Sequence, residues 1–410
     1  MLNKVKMIIR YIILIFLATI SFLGVSQEKN DLYFKAEAYE KQANYQEAVL
    51  FYNKFIELDS TQFNIYLKRA DNYFQLSEFQ QSLKDYKKAE NLNAVEGTYG
   101  IARCYAMLGE KQKMFESLEN HLKQKEKQSQ ASIKLDTVFE KYHETIEWKS
   151  LWMKDWYSQT EMTIFDAEYL MSKALYVDAI EILDAFLEKS KRNHYAFYLR
   201  AMASKALGNN KGSISDLTLA LAISKKNDLY FFERANLYLL DKKFKKALED
   251  YNSAIAFNSL RIDYYFNRMI AQYNLNEYDK ALDDVNLYLK YYPVNDLANY
   301  YCGLIYFAQE DMHKALEYVN YALHTNTGNA DYFLLRGNAY YLTSSYELAD
   351  KDFSMVLDLN PKVAEAYFFR AMCRFELGNN DGACSDWEKA FNLHYIDADE
   401  YLRKHCWKNY

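Results

Sequence analysis

Small and large apolar residues recur along this chain with a period of 34 residues. Within each period, apolar positions lie three and four residues apart in two successive stretches, which is the spacing of two amphipathic helices. Seven periods follow one another without insertion, beginning at residues 160, 194, 228, 262, 296, 330 and 364. A single helical pair cannot bury its own apolar face, so the pattern predicts helical hairpins stacked into a solenoid.

Three positions in each period carry most of this pattern. The eighth position is small in six of the seven periods, and Met269 is the exception. The twentieth position is always Ala or Ser, and the twenty-fourth is large and apolar. Small residues let two helices approach closely.

Gly109, Gly208 and Gly378 lie where a first helix should end, which predicts a positive φ at these three residues.

The small–small–large spacing, with second helices such as "ALEDYNSAIAFN" at residues 247–258, resembles the tetratricopeptide repeat (TPR) family. The resemblance covers most of the chain, because further units begin at residues 29 and 63 and a weaker, out-of-phase unit spans 95–128. It implies an all-α, TPR-type helical-hairpin solenoid of about ten repeats in two arrays, closed by a C-terminal capping helix.

The expected organisation has five segments. They are a signal peptide (1–26), an N-terminal array of about three repeats (27–128), an irregular Trp-rich joint (129–159), seven contiguous repeats (160–397) and a capping helix (398–410). In the joint, Trp148, Trp152 and Trp156 are four residues apart. This spacing puts them on one helical stripe, which is more typical of core packing than of a ligand site.

The first 26 residues have the features of a secretory signal peptide. A short basic stretch, "MLNKVKMIIR", is followed by the apolar stretch "YIILIFLATISFLGVS". Small residues at Gly24 and Ser26 predict cleavage that leaves Gln27 first. The alternative is an uncleaved N-terminal membrane anchor. The Asn-rich chain has no Asn-x-Ser/Thr sequon, which favours a bacterial cell envelope or periplasm over a eukaryotic secretory route.

Six repeats place an arginine at the seventh position and an aspartate sixteen residues later. A fixed cation in a core pattern needs an anion, and pairing within each repeat leaves no residue unmatched. We therefore interpret these residues as structural ion pairs that hold the two helices of a hairpin together. The pairs are Arg69–Asp85, Arg200–Asp216, Arg234–Asp250, Arg268–Asp284, Arg336–Asp352 and Arg370–Asp386.

Motifs for catalysis or cofactor binding are not found. The sequence has no Gly-rich phosphate loop, HExxH, paired CxxC or nucleophile elbow, so we expect no enzyme activity and no cofactor. A zinc site built from Cys384, His394, His405 and Cys406 matches no standard spacing. The formal net charge of −6, without a basic patch, argues against nucleic acid binding.

Cysteine usage depends on the compartment. Five cysteines at irregular spacing do not form a disulfide framework. Cys384 falls on the last second helix and Cys406 falls near the end of the capping helix. In an oxidising compartment these two residues are candidates for a disulfide.

The TPR resemblance implies that first helices line a concave groove that binds peptide or protein. The fifth, ninth and twelfth positions would contact this partner. We predict the following groove residues: Phe232, Asn236, Phe266, Tyr273, Tyr300, Phe307, Asn338, Tyr341, Phe368 and Phe375. The alternative is that these large residues pack only on one another. Recognition of an acidic C-terminus is not expected, because Phe232 and Leu334 replace the lysines of the carboxylate-clamp variety.

These features together favour a non-enzymatic protein–protein interaction scaffold of the bacterial cell envelope, with an unidentified protein or peptide partner. Two alternatives stay open at this stage. One is a secretion or envelope-assembly factor that holds client chains, and the other is a structural array that associates with itself. The membrane would be contacted only through an uncleaved signal segment.

Overall fold

The computed structural model describes residues 27–93 and 97–407, which form helices and connecting turns without any strand. The all-α, TPR-type solenoid predicted from the sequence is confirmed. The predicted signal segment at 1–26 and the last residues of the capping segment, 408–410, lie outside the described residues. No helix in the described part of the chain is long and apolar enough to cross a membrane.

The chain forms two compact units. The first contains the described residues up to Tyr230 together with Phe257–Leu260, and the second contains Phe231–Ala256 together with the described residues from Arg261. In the first unit, residues 27–41 form α1. The helices that follow are α2 (Tyr45–Leu58), α3 (Phe63–Gln75), α4 (Phe79–Leu92), α5 (Thr98–Met107), α6 (Lys111–Leu122), α7 (Gln130–Leu135), a 3-10 helix (Thr137–Tyr142), α8 (Ile146–Leu151), α9 (Gln159–Ser172), α10 (Tyr176–Lys189), α11 (His194–Ala206) and α12 (Asn210–Ile223).

The second unit contains five hairpins and the chain's last helical segments. Its first two helices include a few residues of the first unit at one end. Its helices are α13 (Asp228–Leu240), α14 (Phe244–Phe257), α15 (Ile262–Asn274), α16 (Tyr278–Leu289), α17 (Asp296–Ala308), α18 (Met312–Thr325), α19 (Ala330–Leu342), α20 (Tyr346–Leu359), α21 (Ala364–Glu376), α22 (Asn380–Asn392), α23 (Ala398–Tyr401) and a π-helical turn (Leu402–Cys406).

Close approach of the two helices explains the small residues in the repeat pattern. In the α13–α14 hairpin, Ala235 and Ala247 are fully buried in one cluster with Tyr251. In α19, a Cβ atom at Gly337 would lie 2.9 Å from Cε1 of Phe353 on α20. The eighth position of this repeat therefore cannot accept a larger residue without movement of the ring. The small and large residues of the repeat pattern therefore determine how closely the two helices of a hairpin pack.

Each hairpin turns through one residue with a positive φ. Gly109, Gly208 and Gly378 have φ angles of 76°, 77° and 80°, as the sequence predicted. Other hairpins use residues that carry a side chain at the equivalent position: Ala43, Ser77, Ala174, Lys242, Asn276, Glu310 and Ser344. In both groups the next residue donates its N–H to a carbonyl five residues back, for example Asn209 to Ser204 and Leu175 to Leu170, both at 2.9 Å. The turn geometry is therefore imposed by the hairpin and not by glycine.

The Trp-rich joint differs from the prediction of one helical stripe. Helix α8 ends at Leu151, so Trp156 lies beyond the helix and donates its indole N–H to the carbonyl of Leu151 at 2.7 Å. Trp148 is only 4% exposed and its ring lies 5.7 Å from that of Trp152. The three rings join one core cluster of the first unit, in which Trp148 is buried and the other two are partly buried. They are core residues, but not through a common helix face.

The C-terminal cap consists of the short helix α23 and the π-helical turn. Ala398 and Leu402 are buried in one cluster with Trp387 and Phe368 of the last repeat. A disulfide joins Cys384 of α22 to Cys406, with the two Cα atoms 5.6 Å apart. The cap therefore covers the apolar end of the last repeat, which would otherwise face water.

Replacing glycine by alanine, or alanine by glycine, at the positive-φ position of a hairpin turn should change stability in opposite directions. Gly208→Ala should lower the free energy of unfolding by about 1 kcal/mol, because a side chain is strained at positive φ. A Cβ atom there would meet no heavy atom within 4 Å, so backbone strain alone is tested. Ala174→Gly should raise the stability by a similar amount. Urea denaturation midpoints followed by circular dichroism measure both, and a stabilising Gly208→Ala would contradict the explanation.

Candidate functional site

The structure brings together both residues of every predicted Arg–Asp pair. In each pair the arginine Nε and Nη2 atoms donate to the two carboxylate oxygens, over distances of 2.6 to 2.9 Å. The pairs are mostly buried: the Arg234 and Asp250 side chains are 16% and 9% exposed. The hydrogen bond to Asp250 raises the pKa of Arg234 above its ordinary value. Such forked pairs fix geometry as well as charge.

A third contact of the arginine was not anticipated from the sequence. The Nη1 atom donates to a polar side chain sixteen residues earlier, on the second helix of the preceding repeat. These bonds run from Arg69 to Asn53, Arg200 to Asp184, Arg268 to Asn252, Arg336 to Asn320 and Arg370 to Ser354, at 2.6 to 3.0 Å. In the sequence, this contact could have been predicted from the polar residue that lies sixteen residues before each arginine. Each of these arginines therefore ties its hairpin to the preceding one.

Aromatic rings flank every arginine of the six pairs. A Phe or Tyr three residues earlier lies with its ring centre 5.3 to 5.8 Å from the guanidinium carbon. Arg234 is also 5.9 Å from the ring centre of Tyr238. Cation–π contacts of this kind are worth about 0.5–2 kcal/mol each, depending on exposure. They explain why these arginines occur within aromatic runs.

The predicted groove residues of the second unit lie on its first helices and are half-buried, with one exception described below. The rings at the fifth position touch residues of the same or next repeat. Phe232 stacks on Tyr264 with ring centres 4.5 Å apart, and Tyr300 lies 4.8 Å from Tyr332. Phe266 lies 4.7 Å from Tyr288. These contacts hold the rings in place and leave part of each ring exposed.

Three residues at the twelfth position continue the same surface. Tyr273 lies 6.2 Å from Tyr301, and Tyr341 lies 5.3 Å from Phe369, in both cases edge to face. Phe307 packs against the core cluster that contains α19 and α20 residues. The twelfth position therefore contributes a second row of half-buried rings beside the first.

The two asparagines of the predicted groove have partners within the protein. Asn236 accepts a hydrogen bond from the Tyr251 hydroxyl at 2.7 Å, and Asn338 donates to Glu365 at 3.2 Å. Asn236 links the two helices of its own hairpin, whereas Asn338 links neighbouring repeats. Both amides are therefore oriented by the fold before any ligand arrives.

The last repeat departs from the prediction at Phe368. This ring is 6% exposed and lies 4.7 Å from Tyr395 and 5.4 Å from Tyr401, beneath the C-terminal cap. Phe375 lies 4.5 Å from the His405 ring of the same cap. Phe368 is consequently a core residue and does not line an open groove. The sequence did not show that the cap would extend over this face.

The disulfide joins two of the four residues that were considered for a zinc site. Cys384 and Cys406 are bonded to each other, so neither can act as a thiolate ligand. Cys104, Cys302 and Cys373 are buried free thiols, and burial raises the pKa of Cys302 to about 12. A thiol with this pKa is unreactive at neutral pH. Within the described residues, no group of three or more His, Cys, Asp or Glu side chains is arranged to hold a metal ion.

Removing one member of an ion pair should cost much more than removing both. Asp250→Ala removes the carboxylate that pairs with the mostly buried Arg234 cation, so we expect a loss of about 3–5 kcal/mol. Adding Arg234→Met should restore part of this loss, because the orphan charge is removed. Urea denaturation of both single variants and the double variant measures the coupling.

The exposed pair Lys280–Glu277 supplies the control for this cycle, with side chains that are 69% and 33% exposed. Glu277→Ala should cost less than about 1 kcal/mol. Strict additivity of Asp250→Ala and Arg234→Met would show that the two residues do not act as a pair.

Comparisons with known proteins agree with this architecture. Two family models described as tetratricopeptide repeat match the chain, one at residues 267–331 and 334–391 and the other at residues 32–62. Mouse serine/threonine-protein phosphatase 5 is 30% identical over 98 residues, which are 24% of this chain and 20% of the phosphatase. The chain thus spans about a fifth of the length of the curated relatives it matches.

Solved structures with a similar course of the chain are also repeat proteins. A TPR protein from Parabacteroides merdae is 20% identical, with a TM-score of 0.47, over 60% of this chain and 97% of that chain. The C-terminal part of a TPR protein from Cytophaga hutchinsonii is 17% identical, with a TM-score of 0.46, over 58% of this chain and 99% of that chain. The family models thus identify tetratricopeptide repeats at residues 32–62, 267–331 and 334–391 of this chain.

Proposed function

We propose that this protein is a non-enzymatic scaffold that binds a peptide or a protein along the first helices of its second unit. TPR repeats generally mediate protein–protein interactions. The observation that carries the proposal is the row of half-buried large apolar residues at one repeat position, Phe232, Phe266, Tyr300 and Leu334. A partner contacting this row would cover apolar surface along four consecutive repeats.

The contacts within the row suit binding. Rings that already stack on a neighbouring repeat lose little conformational freedom when a partner arrives, so less of the interaction energy is spent on ordering them. The oriented amides of Asn236 and Asn338 add polar groups among the rings. Aromatic anchors with a few fixed polar groups suit an extended segment or an amphipathic helix.

The bacterial cell envelope is the proposed location. The basic and then apolar residues 1–26 support export, with Gln27 as the first residue after cleavage. The Cys384–Cys406 disulfide supports the same location, because such bonds persist in oxidising compartments.

Removing two rings of the row should weaken binding of the partner at least tenfold. The partner is first captured in envelope extracts through a photo-crosslinking residue at Tyr273, and its affinity is then measured with Phe266→Ala/Tyr300→Ala. Both rings contact neighbours, so a lower melting temperature is expected, with the helical content retained. Tyr321→Ala on α18, where the ring is 53% exposed, is the control and should bind normally.

Two binding results would contradict this site. One is full binding by the double variant, and the other is loss of binding only under conditions where the helical content is also lost. In either case the rings serve repeat packing, and the partner binds elsewhere. Crosslinking from Tyr321 but not from Tyr273 would lead to the same conclusion.

Export predicts a specific N-terminus. Protein recovered from the envelope should begin at or near Gln27, because Gly24 and Ser26 are spaced as at a signal-peptidase site. N-terminal sequencing measures this directly. Intact Met1 in the membrane fraction would instead identify an uncleaved anchor.

A further inference from the structure

A second concave site lies within the first unit, where the repeat period is interrupted. Two adjoining hollows of about 690 and 950 Å³ share Lys125, Glu126, Thr160, Asn193 and Tyr195 as lining residues. One side is formed by the segment that follows α6, and the other by the start of α9 and the turn between α10 and α11. Together the hollows form one open cleft, large enough for several residues of an extended peptide.

The charges around this cleft are mostly positive. Lys125 lies on one side, and Lys189, Lys191 and Arg192 lie on the other. These four side chains belong to exposed residues, and none is in an ion pair with another described residue. This concentration of cations contrasts with the formal net charge of −6 for the whole chain. An anionic partner would therefore be attracted to this part of the surface.

Most acidic groups in the cleft already have partners. Glu161 pairs with Lys127 at 2.7 Å and also accepts from Ser158 at the start of α9. Glu168 accepts a hydrogen bond from the Tyr195 hydroxyl at 2.7 Å. Glu126 is the remaining carboxylate among the lining residues. The four cations of the two sides therefore outnumber the lining carboxylates without an ion pair, Glu126 and Glu168.

The floor of the cleft is apolar. Ile164 is buried, whereas Phe165 and Phe186 are half-buried and therefore still partly accessible. Burial of such rings adds favourable energy only if the ligand carries apolar groups. A nucleic acid backbone would satisfy the cations and leave this floor without a complement. The combination favours a peptide that alternates acidic and apolar side chains.

The segment that carries Lys125 is held in place from below. Burial lowers the pKa of His121 to about 4, so the ring is neutral at pH 7. Its Nε2 atom accepts the N–H of Gln128 at 3.1 Å, which leaves Nδ1 to donate to the Thr98 hydroxyl at 2.9 Å. Tyr157 also donates to the carbonyl of Gln128 at 2.8 Å. The cleft is therefore preorganised at this side.

We propose that this cleft binds an acidic segment of a partner protein. Its carboxylates contact Lys125, Lys189, Lys191 and Arg192, and its apolar side chains cover Phe165 and Phe186. The site differs from the groove in residues, in charge and in the compact unit that contains it. A failure of this proposal would therefore leave the proposed function of the groove standing.

The chain supplies a matched control for the test. The turn "SKRN" at residues 190–193 recurs one repeat later as "SKKN" at residues 224–227. Lys225 and Lys226 are exposed like Lys191 and Arg192, but they do not line the cleft. Charge reversal at either turn changes the net charge equally. A difference in binding between the two variants is therefore due to the position of the reversed charges.

The probe is a fluorescein-labelled 14-residue peptide that alternates Glu with Leu or Phe, and its binding to the full chain is followed by anisotropy. Lys191→Glu/Arg192→Glu should weaken binding at least tenfold in 50 mM NaCl, whereas Lys225→Glu/Lys226→Glu should change it less than twofold. Lys125→Glu, on the opposite side, should weaken binding by a similar factor. Raising NaCl to 300 mM should weaken binding to the wild type more than binding to the cleft variant.

Three outcomes would overturn the proposal. The first is equal weakening by the two turn variants, which would show a general charge effect. The second is equal binding of a peptide in which Gln replaces every Glu. The third is that a single-stranded oligonucleotide of the same charge binds equally well and that Lys191→Glu/Arg192→Glu also weakens its binding. This result would show that the cleft responds to charge without using its apolar floor.

Discussion

The forked arginine–aspartate pair fixes the geometry of six hairpins in the described part of this structure. Each pair joins the two helices of a hairpin, and a third bond reaches the preceding repeat from Arg69, Arg200, Arg268, Arg336 and Arg370. Desolvating both charges is costly, so the pair contributes little net stability against an apolar substitute. Its main effect is on geometry, since the planar fork accepts only one relative position of the helices.

The same geometry places the proposed binding residues of the first helix away from the ion pair. Successive residues of an α-helix are rotated by about 100°, so the fifth and ninth positions lie about 160° from the seventh. The arginine therefore faces the second helices, and the residues at those two positions are directed away from the ion pair. The rings of Phe232, Phe266 and Tyr300 can contact a partner without disturbing the charges that fix the repeat.

The sequence predicted the repeated hairpins and ion pairs, but it missed several features that depend on neighbouring segments. The hairpins and the Arg–Asp pairing followed from spacing alone. Phe368 could not be assigned correctly, because its burial depends on Tyr395, at the end of the last repeat, and on Tyr401 of the cap. Trp156 was placed on a helix that ends at Leu151. The positive φ of residues such as Lys242 was also missed, since the hairpin overrides local preference there.

The break in the period has a physical consequence of its own. Stacked repeats bury each other's faces, so a regular array leaves little space between neighbouring hairpins. Residues 129–159 instead form two short helices and a 3-10 helix around a local aromatic core. The hairpin that follows is thus not packed on a regular predecessor, and the cleft with its cations lies beside this irregular segment. A concave, basic site can therefore occur in this acidic repeat protein, because it lies where the 34-residue period is interrupted.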